Sequence, residues 1–180
     1  MSSPAVSFGC LLRRFRDSRT GGAAIEFAMV APIFFALLFA IIETALMFFV
    51  SQVLETMTQD AARMILTGQA QTANYQQTDF KTYLCNRIPA IFGCANLSVD
   101  VESFSNFESI NLNLQINYAT CQFSGTVQYS PGGPGSVVVV RVLYPWQLFV
   151  TGLGYNIANC PNSKRALVAT AAFQNEPYSN

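Results

Sequence analysis

From Phe27 to Val50 (FAMVAPIFFALLFAIIETALMFFV) the only polar side chains are Glu43 and Thr44. As a helix rising about 1.5 Å per residue, this run spans about 36 Å, enough for a bilayer core of about 30 Å. Pro32 lacks a backbone N–H, which predicts a kink or looser turn near it. Glu43 falls about 32 Å beyond Gly22 along such a helix, near a far membrane surface and not at the midplane. The pattern then changes. In Ser51–Thr67, Val53, Met57, Ala61, Met64 and Ile65 fall on one stripe with Leu54 beside it, whereas Gln52, Glu55, Gln59 and Arg63 lie off it. This is an amphipathic helix, and Gly68 is its expected stop. The prediction is one helix over residues 22–68, apolar all round in its first half and one-sided in its second.

Beyond it the period shortens. Gln69–Gln77 reads as loop and Asp79–Ile88 as a short helix. Leu97, Val99 and Val101 alternate with Ser98 and Asp100, and Leu112, Leu114, Ile116 and Tyr118 alternate with Asn113, Gln115 and Asn117. A period of two predicts strands with one wet face. Pro131–Gly135 is a break. The run Ser136–Tyr144 (SVVVVRVLY) suits a central strand, and Lys164–Phe173 a last one. The strands follow one another like a meander. The expected fold class is therefore α+β, with a mostly antiparallel sheet packed on the amphipathic half of the long helix.

Composition narrows the function. The 180 residues hold 10 Lys+Arg against 10 Asp+Glu, charged residues are 11%, and there is no histidine. A zero balance offers no basic excess for nucleic acid. The missing histidine removes Ser-His-Asp and Cys-His catalysis and His-based metal sites. No phosphate-binding glycine signature is present, and no C-x-x-C pair marks a metal site. The carboxylates Asp100, Glu102 and Glu108 are formally available for acid–base chemistry. Asp100 and Glu102 are two apart on a presumed strand and read as a solvated face. Tyr144, Trp146 and Phe149 read as core, with a binding surface as the alternative. The expectation is a chain that is not an enzyme and uses no cofactor or metal.

The start of the apolar run carries the most specific pattern. Arg13, Arg14, Arg16 and Arg19, opposed by Asp17, precede it. A positive flank keeps the N-terminus cytoplasmic and sends the rest across the membrane. Between the arginines and the run lies Thr20-Gly21-Gly22-Ala23-Ala24-Ile25-Glu26-Phe27. A cleaved secretory signal fits poorly, because the apolar core is long and no A-x-A site follows it. A plain signal anchor fits on hydropathy alone. The order of basic leader, glycine, Glu-aromatic pair and apolar helix resembles the class III signal of type IV pilins and their Flp/Tad branch. The resemblance implies a cut by prepilin peptidase after Gly21, leaving Gly22 first and Glu26 fifth, with Phe27 sixth. A cut after Gly22 would put Glu26 fourth, so Gly21 is favoured. It also implies that Glu26 pairs with the new N-terminus of a neighbouring subunit during assembly. A carboxylate in or near hydrocarbon costs about 2.5–3.5 kcal/mol and usually marks function.

Further stretches are similar to the TadE-like proteins, minor pseudopilins of the tight-adherence (Tad/Flp, type IVb) pilus. Ala61-Ala62-Arg63 with Thr67-Gly68 resembles that family's AAR…TG region. Tyr129-Ser130-Pro131 and Val137–Tyr144 resemble its hydrophobic strand before a Tyr-Pro. Phe173-Gln174-Asn175-Glu176-Pro177-Tyr178 resembles its F-R-N-E-P-F ending, with Gln174 in place of the usual Arg and Tyr178 in place of Phe. The resemblance implies a pilin-like structural subunit of pilus biogenesis in adhesion. It would sit in the bacterial inner membrane with its head in the periplasm. Its partners would be prepilin peptidase, other pilins and pseudopilins through the N-terminal helix, the Tad inner-membrane assembly machinery and membrane lipid. Major Flp pilins share the processing site but have almost no head, so a head of residues 69–180 argues for a minor subunit. The competing reading is a signal-anchored periplasmic binding protein outside any pilus.

The implied division is a cleaved leader (1–21), a long helix (22–68, transmembrane about 27–50) and a β-rich periplasmic head (69–180). Of Cys10, Cys85, Cys94, Cys121 and Cys160, the first would leave with the leader, and four remain on the oxidising side. Three pairings are open to four cysteines. Cys85 with Cys94 closes a short loop and Cys121 with Cys160 ties the sheet loops together, and this pairing is preferred. Charge divides likewise: the leader is net positive, the helix net negative through Glu26, Glu43, Glu55 and Asp60 against Arg63, and the head balanced.

Overall fold

The computed structural model describes residues 21–89, 92–110, 116–151 and 155–178. The arginine-rich leader, Cys10 and most of the alternating stretch Leu112–Tyr118 lie outside them. Contacts divide the chain into two units, residues 1–41 and 42–180.

Helix α1 runs Gly22–Leu66 without interruption, with Pro32 inside it. Pro32 cannot donate to the carbonyl one turn back, yet its fixed φ is helical, so the helix continues through it. In the first unit its large side chains are exposed, Ile25, Phe27, Met29, Val30, Ile33, Phe34, Leu37 and Ile41 among them. Phe34, Phe35 and Phe39 are ring neighbours along the helix, with centroids 5.5 and 6.3 Å apart. This half meets the expectation of an apolar surface all round, and the helix is long and apolar enough to cross a membrane.

In the second unit the same helix becomes one-sided. Met47, Val50, Leu54, Met57, Ala61 and Ile65 are buried at spacings of three and four. The stripe centres on Leu54, and Val53 and Met64 lie at its margin, half-buried. The helix stops where expected: Gly68 adopts φ 75°, and its N–H bonds to the Ile65 carbonyl at 3.0 Å. The expected loop after it contains one short turn of helix, α2 (Gln69–Thr72). Helix α3 follows (Gln77–Cys85), begun by Asp79, whose carboxylate accepts the Gln76 N–H at 2.9 Å.

Three strands form the main sheet: β1 (Ser98–Phe104), β4 (Val137–Gln147) and β5 (Lys164–Gln174), in the order β1-β4-β5 and all antiparallel. The β-branched run is its central strand, as its continuous apolarity predicts. A small antiparallel pair, β2 (Ile116–Asn117) with β3 (Gln122–Phe123), lies between β1 and β4 in sequence. Register places Val138, Val140, Val142 and Tyr144 on one face beside Phe173, Ala171, Ala169 and Leu167. That face, with Val99 and Val101 of β1, shares a single core with the α1 stripe and with Phe80 and Leu84 of α3. The free edge of β1 is covered by residues 128–130, which bond to Val101 through Gln128 and Ser130. Long-helix-on-antiparallel-sheet is the α+β, pilin-like architecture expected from the sequence.

Candidate functional site

Gly22 is the first residue of α1, and Glu26 and Phe27 stand exposed on its second turn. A helix N-terminus carries unpaired N–H groups and partial positive charge, which favours a nearby carboxylate. Among the described residues, no atom lies within 4 Å of where a Cβ on Gly21 or Gly22 would stand. Packing within this chain therefore does not require glycine at either position. The neighbouring arginines lie outside the described residues.

Glu43 behaves differently. It is 2% exposed, and its Oε2 accepts the backbone N–H groups of Phe149 (3.1 Å) and Val150 (3.3 Å). The adjacent Thr44 hydroxyl hydrogen-bonds to the Tyr155 hydroxyl. Burying a carboxylate is costly unless N–H donors replace water; two amides do so at Oε2, while Oε1 is buried with no partner among the described residues. The carboxylate expected at a membrane surface is thus held by the head. Its isolation in an apolar run was the available signal, but its partners are 106 and 107 residues away.

The second sheet face corrects another expectation. Asp100 is fully buried and Glu102 half-buried, and both meet Arg141 of β4, at 3.1 and 3.4 Å. The other Asp100 oxygen accepts the Gln128 N–H at 2.9 Å. They are not a solvated face: Val137, Val139 and Leu143 of β4 are buried alongside Arg141, whereas Val168, Thr170 and Ala172 of β5 are exposed. Glu108 is exposed on a separate turn, so the three acids do not converge on a site. The expected aromatic core is split likewise. Tyr144 and Trp146 are buried, and Tyr144 accepts the Gly93 N–H at 3.0 Å; Phe149 is 73% exposed.

The three segments that carry the family resemblance converge in space. Asn175 is buried and donates to the carbonyls of Pro131 (2.9 Å) and Gly133 (3.0 Å). Glu176 N–H bonds to the Leu66 carbonyl at 2.9 Å, and Gln71 reaches the carbonyls of Ile65 and Pro131. The Tyr178 ring lies over Gly68 and fills the space that a side chain there would need. Gln174, where the family usually has Arg, is exposed and donates to the Gly135 carbonyl at 3.0 Å. These contacts join the end of α1, the Pro-Gly loop and the C-terminal tail; they are structural. Two disulfides brace the rest of the head, Cys85–Cys94 and Cys121–Cys160, each with Cα atoms 5.5 Å apart. Among the described residues no group of His, Cys, Asp or Glu is placed to hold a metal ion.

Residues 21–63 match the family model of the TadE-like proteins. No curated protein and no solved structure matches the chain. The match begins at the glycine of the expected cut and ends within the amphipathic half of α1, so it covers Glu26, Phe27 and Glu43. Over residues 21–63 the chain is thus similar to the TadE-like proteins, a family associated with the Tad pilus.

Proposed function

We propose that this chain is a minor pseudopilin of a Tad/Flp type IVb pilus, anchored in the bacterial inner membrane and processed by prepilin peptidase. The observation that carries the reading is the family match starting at Gly21. The head adds to it: major Flp pilins have almost none, and this chain folds one of its own around the second half of α1. The leader, residues 1–21, is removed after Gly21, and Gly22 becomes the N-terminus. The two glycines, against which no described residue packs, serve the peptidase. Glu26, exposed on the second turn, pairs with the ammonium of a neighbouring subunit, an ion pair strengthened by low dielectric. The apolar half of α1 spans the membrane, with the leader arginines holding the N-terminus in the cytoplasm, and the head (69–180) lies in the periplasm. There its four cysteines remain oxidised. The work is that of a subunit, through helix contacts with other pilins and with the Tad assembly machinery, and not of a catalyst.

The test complements a deletion strain with wild type, Gly21→Arg and Glu26→Ala. Gly21→Arg is expected to accumulate as a full-length precursor on a gel, and Glu26→Ala to be processed but to leave cells without pili. Equal piliation with and without the gene overturns the pilus reading and favours an anchored periplasmic binding protein.

A further inference from the structure

Glu43 is the first buried residue of α1. The stretch before it, Gly22–Ile42, is about 32 Å long as a helix, which matches a hydrocarbon core of about 30 Å. At that boundary the helix grips a loop. Glu43 accepts the N–H groups of Phe149 and Val150, and the Thr44 and Tyr155 hydroxyls are hydrogen-bonded to each other. The two neighbouring helix positions thus fix the chain that follows β4.

What they hold in place is apolar and uncharged. Phe149 is 73% exposed, with its ring edge-on to the buried Trp146 at 6.4 Å. From Val142 to Ser163 the sequence has no Asp, Glu, Lys or Arg. On α1 itself Ile42, Leu46, Phe48 and Phe49 are exposed on the turns around Glu43. A lone surface phenylalanine needs no explanation. One set beside an exposed apolar helix, on an uncharged loop secured by a buried carboxylate, does need one.

We propose that Phe149 inserts into the interfacial layer of the membrane from which α1 emerges, so that the base of the head rests on the lipid surface, with Glu43 as the positioning residue. The occupant is lipid because the exposed apolar side chains continue along α1 into the stretch that crosses the bilayer. Aromatic rings are favoured at that depth, and a charge-free loop carries no ionic desolvation cost there. The inference rests on the membrane-anchored reading of α1. It shortens the spanning stretch to residues 22–42 and assigns 43–50 to the head and the interface.

Trp146 is the sole tryptophan and provides the probe. The full chain is reconstituted in phosphatidylcholine vesicles whose acyl chains are brominated either near the headgroup or near the terminal methyl. In a Trp146→Phe/Phe149→Trp variant, headgroup-side bromine is expected to quench the emission roughly twofold, as for side chains seated at the headgroup–acyl boundary. Methyl-end bromine is expected to quench it less. Adding Glu43→Ala is expected to abolish the quenching while the protein still resists alkaline extraction. Native Trp146, beside Phe149, gives a second reading that needs no substitution, with weaker quenching of the same depth order. No quenching in an extraction-resistant protein overturns the proposal and leaves the anchor standing. Emission that responds to protein dilution and not to bromine overturns it in favour of a second copy as occupant. Release of the protein by alkali overturns the membrane anchor itself.

Discussion

Tyr129 shows how one side chain couples the head to its solvent. Its ring packs on Phe80 of α3, with centroids 5.6 Å apart, and its hydroxyl is buried with no partner among the described residues. Burial first, and then the nearby charges of Asp79 and Tyr75, push its pKa up to about 12. The folded chain therefore prefers the neutral phenol. In the unfolded chain the group titrates near its usual value of about 10. Below that pH both states are neutral and the contribution to stability is complete. Between the two values the unfolded chain releases a proton that the folded chain keeps, so stability falls as pH rises. The urea midpoint is expected to fall more steeply above pH 10 in the native protein than in Tyr129→Phe. At neutral pH Tyr129→Phe is expected to be the more stable by about 1 kcal/mol or more, since it removes a buried hydroxyl that makes no bond. Parallel profiles through pH 11 would show that the phenol is solvated.

The end of α1 shows how elements far apart in sequence are joined. Gly68 needs the left-handed backbone region, at φ 75°, and the Tyr178 ring occupies the place of any side chain it could bear. Both demands act against substitution. Gly68→Ala is expected to cost about 2–4 kcal/mol, from the backbone conformation together with overpacking. Adding Tyr178→Ala should recover the packing share and leave the backbone share of about 1 kcal/mol relative to Tyr178→Ala alone. Urea unfolding of the two single variants and the double variant measures this. A Gly68→Ala cost that is equal with and without the tyrosine would mean the tail does not dock on the helix end in solution.

Across the head, the two disulfides restrain loops of different length. Cys121–Cys160 spans 39 residues and encloses the central strand; Cys85–Cys94 spans 9. In the loop-entropy account these contribute about 4 and about 2.6 kcal/mol, respectively. Replacing Cys121 and Cys160 by serine is therefore expected to lower stability about 1.3 kcal/mol more than replacing Cys85 and Cys94. Thermal unfolding of the two paired variants, under oxidising conditions, decides it. A larger loss for the short loop would place the stabilisation in native contacts around Cys94 and Phe92 instead. The longer bridge also ties the small β2–β3 pair, which helps to cover β4, to the entry of β5.

Local pattern was enough for the elements. The 24-residue apolar run, the stop at Gly68 and the β-branched central strand are each written in neighbouring residues, because helix and strand periods are local geometry. The change to one-sided burial was expected after Val50 and begins earlier, at Glu43 and Met47, within the apolar run itself. The Gly-Glu-Phe order at the start of α1 was equally legible, and the family match begins at its glycine. Which surface is covered was not. Alternation tells that Asp100 and Val101 point to opposite faces, but not that both faces are buried there and that Arg141 supplies the counter-charge. Nor does it tell that Trp146 turns inward while Phe149, three residues on, faces out. The hold of Glu43 on the amides of Phe149 and Val150, and of Tyr178 on Gly68, joins groups more than a hundred residues apart. Burial and pairing over such separations depend on what else arrives at the same place, and only the packed chain decides that.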